Sequence, residues 1–249
     1  MNKKYCLTLI FLCLLQLPAA AQLKYEWTPV PMDSTWDAIT DRKATDIIAR
    51  YEPELAPMQE IIGYSVAEYT KSRPESGLSN MLADMLRETG EKAVGCHVDV
   101  GMVNFGGIRT SLPKGAVRVY DIYSICPFNN AVVVFDITGE DLTKFFERSA
   151  GRNRLASYSG IRMDVVDRKV VLLEVGGEPV DKERVYKFAT IDFLLDGGDG
   201  IDLTKEAHNI VKTGIYLRDA VIDRIRELTA AGGKIDLSPD GRVTVSNGK

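Results

Sequence analysis

Histidine is scarce in this chain. Its 249 residues hold two, His97 and His208, and neither has another histidine at helical or hairpin spacing. Zinc hydrolases and two-metal phosphoesterases commit several histidines and carboxylates to their metals, so no self-contained metal centre is expected. Cysteine is sparse too: there are four, and Cys6 and Cys13 fall within the first 21 residues. Cys96 and Cys126 each follow apolar neighbours. Buried free thiols are common, so the two are expected to stay unbridged, and no disulfide framework is implied. There is no basic excess: 31 Lys and Arg face 35 Asp and Glu, for a formal charge of -4. This argues against partners such as nucleic acid or an anionic membrane, which want a basic face. No Gly-x-Ser-x-Gly elbow marks a serine nucleophile. No repeat of fixed period and no low-complexity linker is visible.

Long hydrophobic runs are also missing. The run that comes nearest, Leu7 to Leu17, is too short for a spanning helix, which needs about 20 residues. It lies between the basic start Met1-Asn2-Lys3-Lys4 and the small residues Ala19-Ala20-Ala21. Residues 1–21 therefore read as a secretory signal peptide, cut before Gln22, and the chain as exported, periplasmic or secreted. Residues 22–40, with prolines and turn formers around Trp27 and Trp36, read as an extended arm. Residues 41–249 read as the folded domain.

Periodicity supplies the elements. Ala44, Ile47, Ile48 and Tyr51 have the spacing of an amphipathic helix over 41–56, ended or broken by Pro53 and Pro57. Ile61 to Tyr69 alternates as a strand does. Leu78, Met81, Leu82, Met85 and Leu86 form one stripe of a helix from Gly77 that Gly90 is expected to stop. Val98–Val103 reads as a short buried strand, and residues 111–116 as a turn. Val117 to Ile125 begins as a strand and becomes helical. Ala131–Ile137 is a continuous apolar strand, followed by a helix from Thr138 through Ala150. Residues 159–166 and 169–175 form a hairpin over Asp167-Arg168. A strand at 185–191, a glycine-rich loop at 196–200, a helix at 215–230 and a short strand at 243–245 complete the chain. Strands and helices mix without strict alternation, which gives the class α+β.

Three loops carry the chemistry. Asn104-Phe105-Gly106-Gly107-Ile108-Arg109 follows a buried strand, and its paired glycines permit a tight turn and close approach of a ligand to bare backbone. Asn104 offers donor and acceptor edges, and Arg109 a planar fork suited to phosphate. Phe128, after Pro127 at a strand boundary, is one of two rings whose role is open; Phe193, just before the glycine-rich loop, is the other. For a Phe taken at random, burial in the core is the better expectation. The alternative is a slot for a flat heterocycle. Asp199 lies between glycines, where its carboxylate could meet vicinal ribose hydroxyls. Gly197 to Asp202 also fits the start of a calcium β-helix repeat, but that architecture needs tandem copies and there is one.

With these segments in view the chain resembles the C-terminal, substrate-recognition domain of the 5′-nucleotidase family, which includes UDP-sugar hydrolases and ecto-5′-nucleotidases. The resemblance rests on residues 104–109, 127–130, 138–142 and 193–200, in family order, with a looser match at Glu75-Ser76-Gly77-Leu78-Ser79-Asn80. It covers about residues 60 to 230. It implies mixed sheets with flanking helices. Phe128 and Phe193 would sandwich a base and Asp199 would hold the ribose. Asn104 would touch the base beside the Gly106-Gly107 backbone, and Arg109 would steer the phosphate. Arg73 is the nearest match to a further family arginine. Full-length members also carry an N-terminal metallophosphoesterase domain with two divalent metals. None of its Asp-x-His, Asn-His-Glu or Gly-His-x-His motifs occurs in this sequence. The resemblance therefore implies the recognition half of a nucleotidase, with catalytic metals supplied by a separate metallophosphoesterase chain and no cofactor of its own. The alternatives are a non-catalytic nucleotide-binding protein and a structural domain that has lost its ligand.

Overall fold

The computed structural model of the protein describes residues 25–31, 34, 41–201 and 203–248. The expected signal peptide and much of the expected arm lie outside the described residues. By contacts the chain divides between Arg50 and Tyr51. In the first unit, residues 25–31 form neither helix nor strand. Helix α1 (Arg42–Leu55) starts there and runs into the second unit. Its first turn is held by Asp41, whose Oδ1 accepts from the backbone of Lys43 at 2.8 Å. Pro53 does not break it; the helix ends at Leu55, and a 3₁₀ turn containing Pro57 follows. The expected apolar stripe exists, but none of its residues is buried: Ile47, Ile48 and Tyr51 are all exposed.

The second unit is built on three sheets. The central one has the order β10-β4-β9-β2-β5, from β2 (Val100–Val103), β4 (Ala131–Thr138), β5 (Ser157–Ser159), β9 (Val185–Ile191) and β10 (His208–Tyr216). A four-stranded sheet runs β11-β6-β7-β8, from β6 (Ile161–Val166), β7 (Lys169–Val175), β8 (Glu178–Pro179) and β11 (Val243–Ser246). Strands β1 (Ile61–Ser65) and β3 (Gly115–Arg118) form an antiparallel pair. The sheets are mixed: β2 runs parallel to β9 and β11 parallel to β6, while the other pairings are antiparallel. The fold is thus α+β with mixed sheets and flanking helices.

Local chemistry explains the principal elements. Helix α2 (Gly77–Val94) opens on a capping box, in which the Ser76 hydroxyl accepts from Ser79 N at 3.2 Å and the Ser79 hydroxyl accepts from Ser76 N at 3.0 Å. Its stripe, Leu78, Met81, Leu82 and Leu86, is buried against the central sheet. Gly90 does not stop the helix. A Cβ there would lie 2.9 Å from Val134 Cγ2 and 3.0 Å from Ala189 Cβ, so the glycine lets α2 lie close on β4 and β9. The stop comes at Gly95, in the left-handed region at φ 69°. Thr138 caps α4 (Gly139–Gly151), accepting from Asp141 N at 3.2 Å. From α4, Phe145 meets Phe188 edge-on, and Phe188 stacks on Phe135 with centroids 5.1 Å apart. Each such buried ring contributes roughly 1.5–3 kcal/mol.

Two readings need correction. The strand from Ile61 ends at Ser65, whose hydroxyl donates to the Ala67 carbonyl at 2.7 Å and turns the chain. The helix expected from Ile215 begins at Leu217 as α6 (Leu217–Ala230), and the residues before it are the edge strand β10. Positive φ angles at Asn209 and Gly214 interrupt the alternation that would have revealed β10.

One topological fact positions everything below. Because β2 and β9 are parallel neighbours, both end at the same edge of the sheet. Strand β4 is antiparallel to β9, with Val132 opposite Ile191, so it begins at that edge. The loops after β2, before β4 and after β9 therefore emerge side by side.

Candidate functional site

These three loops enclose a cavity of about 230 Å³. Its walls include Asn104, Gly106, Gly107 and Arg109 after β2, Phe128 and Asn130 before β4, and Phe193 and Asp199 after β9. Seven of the eight residues singled out in the sequence line this one space. The eighth, Arg73, lines an adjoining cavity of about 350 Å³, which shares Asn104 and Asp199 with the first.

Both rings are half open to solvent: Phe128 is 46% exposed and Phe193 45%. That separates them from the core rings Phe135, Phe145, Phe146 and Phe188, which are buried. Phe193 is the second residue of a four-residue helix, α5 (Asp192–Leu195). Asp192 anchors it, its Oδ1 accepting from Phe193 N at 2.8 Å and from Ala131 N at 3.1 Å, which ties the loop after β9 to the start of β4. The ring rests on Gly198, where a Cβ would fall 2.4 Å from Phe193 Cε1. Phe128 is carried by a loop that Arg218 holds in place. This buried guanidinium donates to the Pro127 carbonyl at 3.4 Å and to Asn129 Oδ1 at 3.0 Å, and lies 4.0 Å from the Tyr123 ring centroid. The Arg109 guanidinium stands 6.0 Å from the Phe128 centroid and donates to the Gly106 carbonyl at 3.3 Å.

The floor is polar. Asn104 precedes a 3₁₀ turn (Phe105–Gly107) whose carbonyls are gathered by Lys71 Nζ, which donates to Phe105 O at 3.0 Å and also to Ile108 O. The paired glycines, which line the cavity, also leave room for polar side chains of the site. A Cβ on Gly106 would lie 3.0 Å from Asp199 Oδ2, and one on Gly107 2.7 Å from Asn104 Oδ1. Asp199 and Asn104 fill the room that side chains there would take. Asp199 occupies the left-handed region at φ 53°, and its Oδ2 accepts from Asn104 Nδ2 at 2.6 Å. A carboxylate only accepts, so the amide must turn its NH₂ toward it. Among the described residues Asn104 Oδ1 then has no hydrogen-bond partner although it is buried.

No pattern in the sequence points to Lys71, Arg154 or Arg218. Each is a single charged residue outside any motif, and only the fold brings it to the site. Arg73 stacks on Phe105, with its guanidinium carbon 4.4 Å from the centroid, and donates to the Leu155 carbonyl at 2.7 Å.

A two-metal centre does not fit these residues. His97 is exposed beside Glu91, with Nδ1 3.4 Å from the carboxylate, and His208 lies on the edge strand β10 opposite Asp136. Among the described residues no group of three or more His, Cys, Asp and Glu side chains is placed to hold a metal. Neither thiol is bridged; Cys126 is buried, whereas Cys96 is exposed despite its apolar neighbours. No helix among the described residues is long and apolar enough to cross a membrane.

Residues 55–206 match the family model described as "5'-nucleotidase, C-terminal domain". An apyrase of Tabanus yao is 28% identical over 170 residues, covering 59% of this chain and 30% of its own length. Protein UshA of Salmonella pullorum is 29% identical over 156 residues, covering 59% of this chain and 27% of its own. In three dimensions the chain is similar to the crystal structure of a 5′-nucleotidase precursor from Thermus thermophilus. The TM-score is 0.69 at 28% identity, over 81% of this chain and 42% of that one. The chain thus spans less than a third of these curated relatives and less than half of that solved structure.

Proposed function

The chain belongs to the 5′-nucleotidase C-terminal domain family, and from that premise we propose that it is the nucleoside- and nucleotide-recognition half of an exported 5′-nucleotidase. Phe128 and Phe193 take the base between them, Asp199 accepts from the ribose hydroxyls, and Asn104 receives a donor on its free oxygen. Arg109 steers the phosphate, and Arg73 faces the ligand from the adjoining cavity. Catalytic divalent metals and the attacking water come from a metallophosphoesterase unit on a separate chain. Hydrolysis of phosphate monoesters is among the slowest uncatalysed reactions, and a clamp of this composition has no group to activate water.

The observation that carries this reading is the pair of half-exposed phenylalanines lining one cavity with an acid in the left-handed region. Rings kept only for the core would be covered, as the five other described phenylalanines are. Base–aromatic stacking contributes about 1–3 kcal/mol per base. Phe128→Ala and Phe193→Ala should each weaken adenosine binding by about tenfold or more in calorimetry, with little change in melting temperature. Purified chain supplied with AMP and Mn²⁺ or Zn²⁺ should release no phosphate until an exported metallophosphoesterase is added. Turnover by the chain alone would sink the divided-enzyme reading. Nucleoside binding that recruits no phosphoesterase would instead favour a capture protein without catalysis.

A further inference from the structure

Arg218 is a buried cation that the proposed clamp does not use. It lies in the first turn of α6 and is 8% exposed. Burying a guanidinium is costly unless its donors find acceptors. Its ion pair is with the next residue, Asp219, whose Oδ1 stands 3.6 Å from Nε, and Nε makes no hydrogen bond among the described residues. The remaining nitrogens turn to one short segment. Nη1 donates to the Pro127 carbonyl at 3.4 Å and Nη2 to Asn129 Oδ1 at 3.0 Å, the residues on either side of Phe128. The guanidinium also lies over Tyr123, in the short helix that leads into the same segment. Leu217, the residue before it, donates its N–H to the Asn130 carbonyl at 3.0 Å. Two consecutive residues of α6 thus grip residues 127–130, and the half-exposed Phe128 lies inside the gripped stretch.

We propose that Arg218 is a positioning residue for base binding: its fork fixes both flanks of Phe128, so that the ring stands in its stacking place before a base arrives. The proposal rests on the nucleoside-clamp reading. A half-exposed ring on an unbraced loop samples several positions, and a base then has to order it on binding, at a cost in affinity. A planar fork suits two acceptors set one residue apart, which a single ammonium does not. Phe193 is braced by other means, through Asp192 and Gly198. Arg218 lies beyond residues 55–206, so the clamp is completed by a helix from outside the stretch that matches the family model.

Calorimetry with adenosine on the purified chain, well below the melting temperature of each variant, tests this. Arg218→Met keeps an unbranched stem and removes the fork. It should weaken adenosine binding by about five- to tenfold, most of what loss of the ring itself costs. In a Phe128→Ala chain the same substitution should change affinity by less than about twofold, because no ring is left to place. A merely structural role would weaken binding alike in both backgrounds. Asn129→Ala removes one acceptor at an exposed position and leaves α6 intact, so it carries the same comparison should Arg218→Met not fold. It should cost about threefold, and nothing once Phe128 is gone. Arg218→Lys retains the charge without the fork and should recover little of the loss. If the intact chain binds adenosine and these substitutions cost nothing, or cost as much without the ring as with it, or if Arg218→Lys restores full affinity, the positioning role is wrong and the clamp survives. If the intact chain binds no adenosine, the clamp and the positioning role fall together.

Discussion

Cys126 shows how tightly the residues under the site are packed. It ends the short helix α3 (Val119–Ile125) immediately before Pro127 and Phe128, and burial pushes its thiol up to about 12, with nearby Arg218 opposing the shift. In the unfolded chain the same thiol titrates near 8.5. The folded form therefore keeps a proton that the unfolded form gives up. The resulting stability is complete below about pH 8.5 and is lost as pH rises toward 12. Two outcomes are expected. Iodoacetamide at pH 8 should label the exposed Cys96 and spare Cys126 until the protein is unfolded, read by peptide mass mapping. The midpoint of denaturant unfolding should fall between pH 8.5 and 10, and Cys126→Ala should flatten that fall. The sequence showed both thiols in apolar company and did not separate them. Exposure depends on which end of an element a residue occupies: Cys96 lies beyond the cap of α2, and Cys126 beneath the loop that carries Phe128.

Among the elements, helix α2 carries the clearest lesson. A glycine inside a helix costs about 0.5–1 kcal/mol relative to alanine, which is why Gly90 looks like a stop. The sheet decides otherwise, because there is no space for a Cβ between the helix and Val134 and Ala189. Gly90→Ala should therefore destabilise the protein despite its better helix propensity, by about 1–3 kcal/mol less the propensity gain. A guanidinium denaturation curve with a lower midpoint and unchanged slope is expected; a higher midpoint would show that the contact relaxes freely. Elements with plain periodicity were legible in the sequence: α2, α4, the hairpin β6–β7 and strand β9. Those shaped by backbone irregularity were not. Strand β10 is bent at Asn209 and Gly214, and β5 separates from β6 at Gly160, where a Cβ would fall 2.0 Å from the Asp99 carbonyl oxygen. At Gly90 and Gly160 the deciding fact is a neighbour from elsewhere in the chain.

At the scale of the molecule, the candidate site consists of loops that are distant in sequence. Asn104, Phe128 and Phe193 were individually visible as residues of interest. Their meeting was implied only by the resemblance of the ordered motifs, because it follows from the parallel pairing of β2 with β9, which no local pattern encodes. A ligand spanning the loops binds only the finished sheet, so adenosine at a hundredfold its dissociation constant should add about 2.7 kcal/mol to unfolding. A concentration-dependent rise in melting temperature would record it; no rise at saturating adenosine would count against a ligand that bridges the loops.

The pairing of β2 with β9 also has a temporal side. Strand β9 leaves the ribosome more than eighty residues after β2, yet it inserts between β2 and β4, which are already made. Until it arrives, those two strands have no partner along their facing edges, and such edges are prone to pair with the wrong chain. Synthesis of this protein thus leaves an interval of vulnerability that closes in the same event that assembles the pocket. Acquiring solubility and acquiring the ability to bind would be one step.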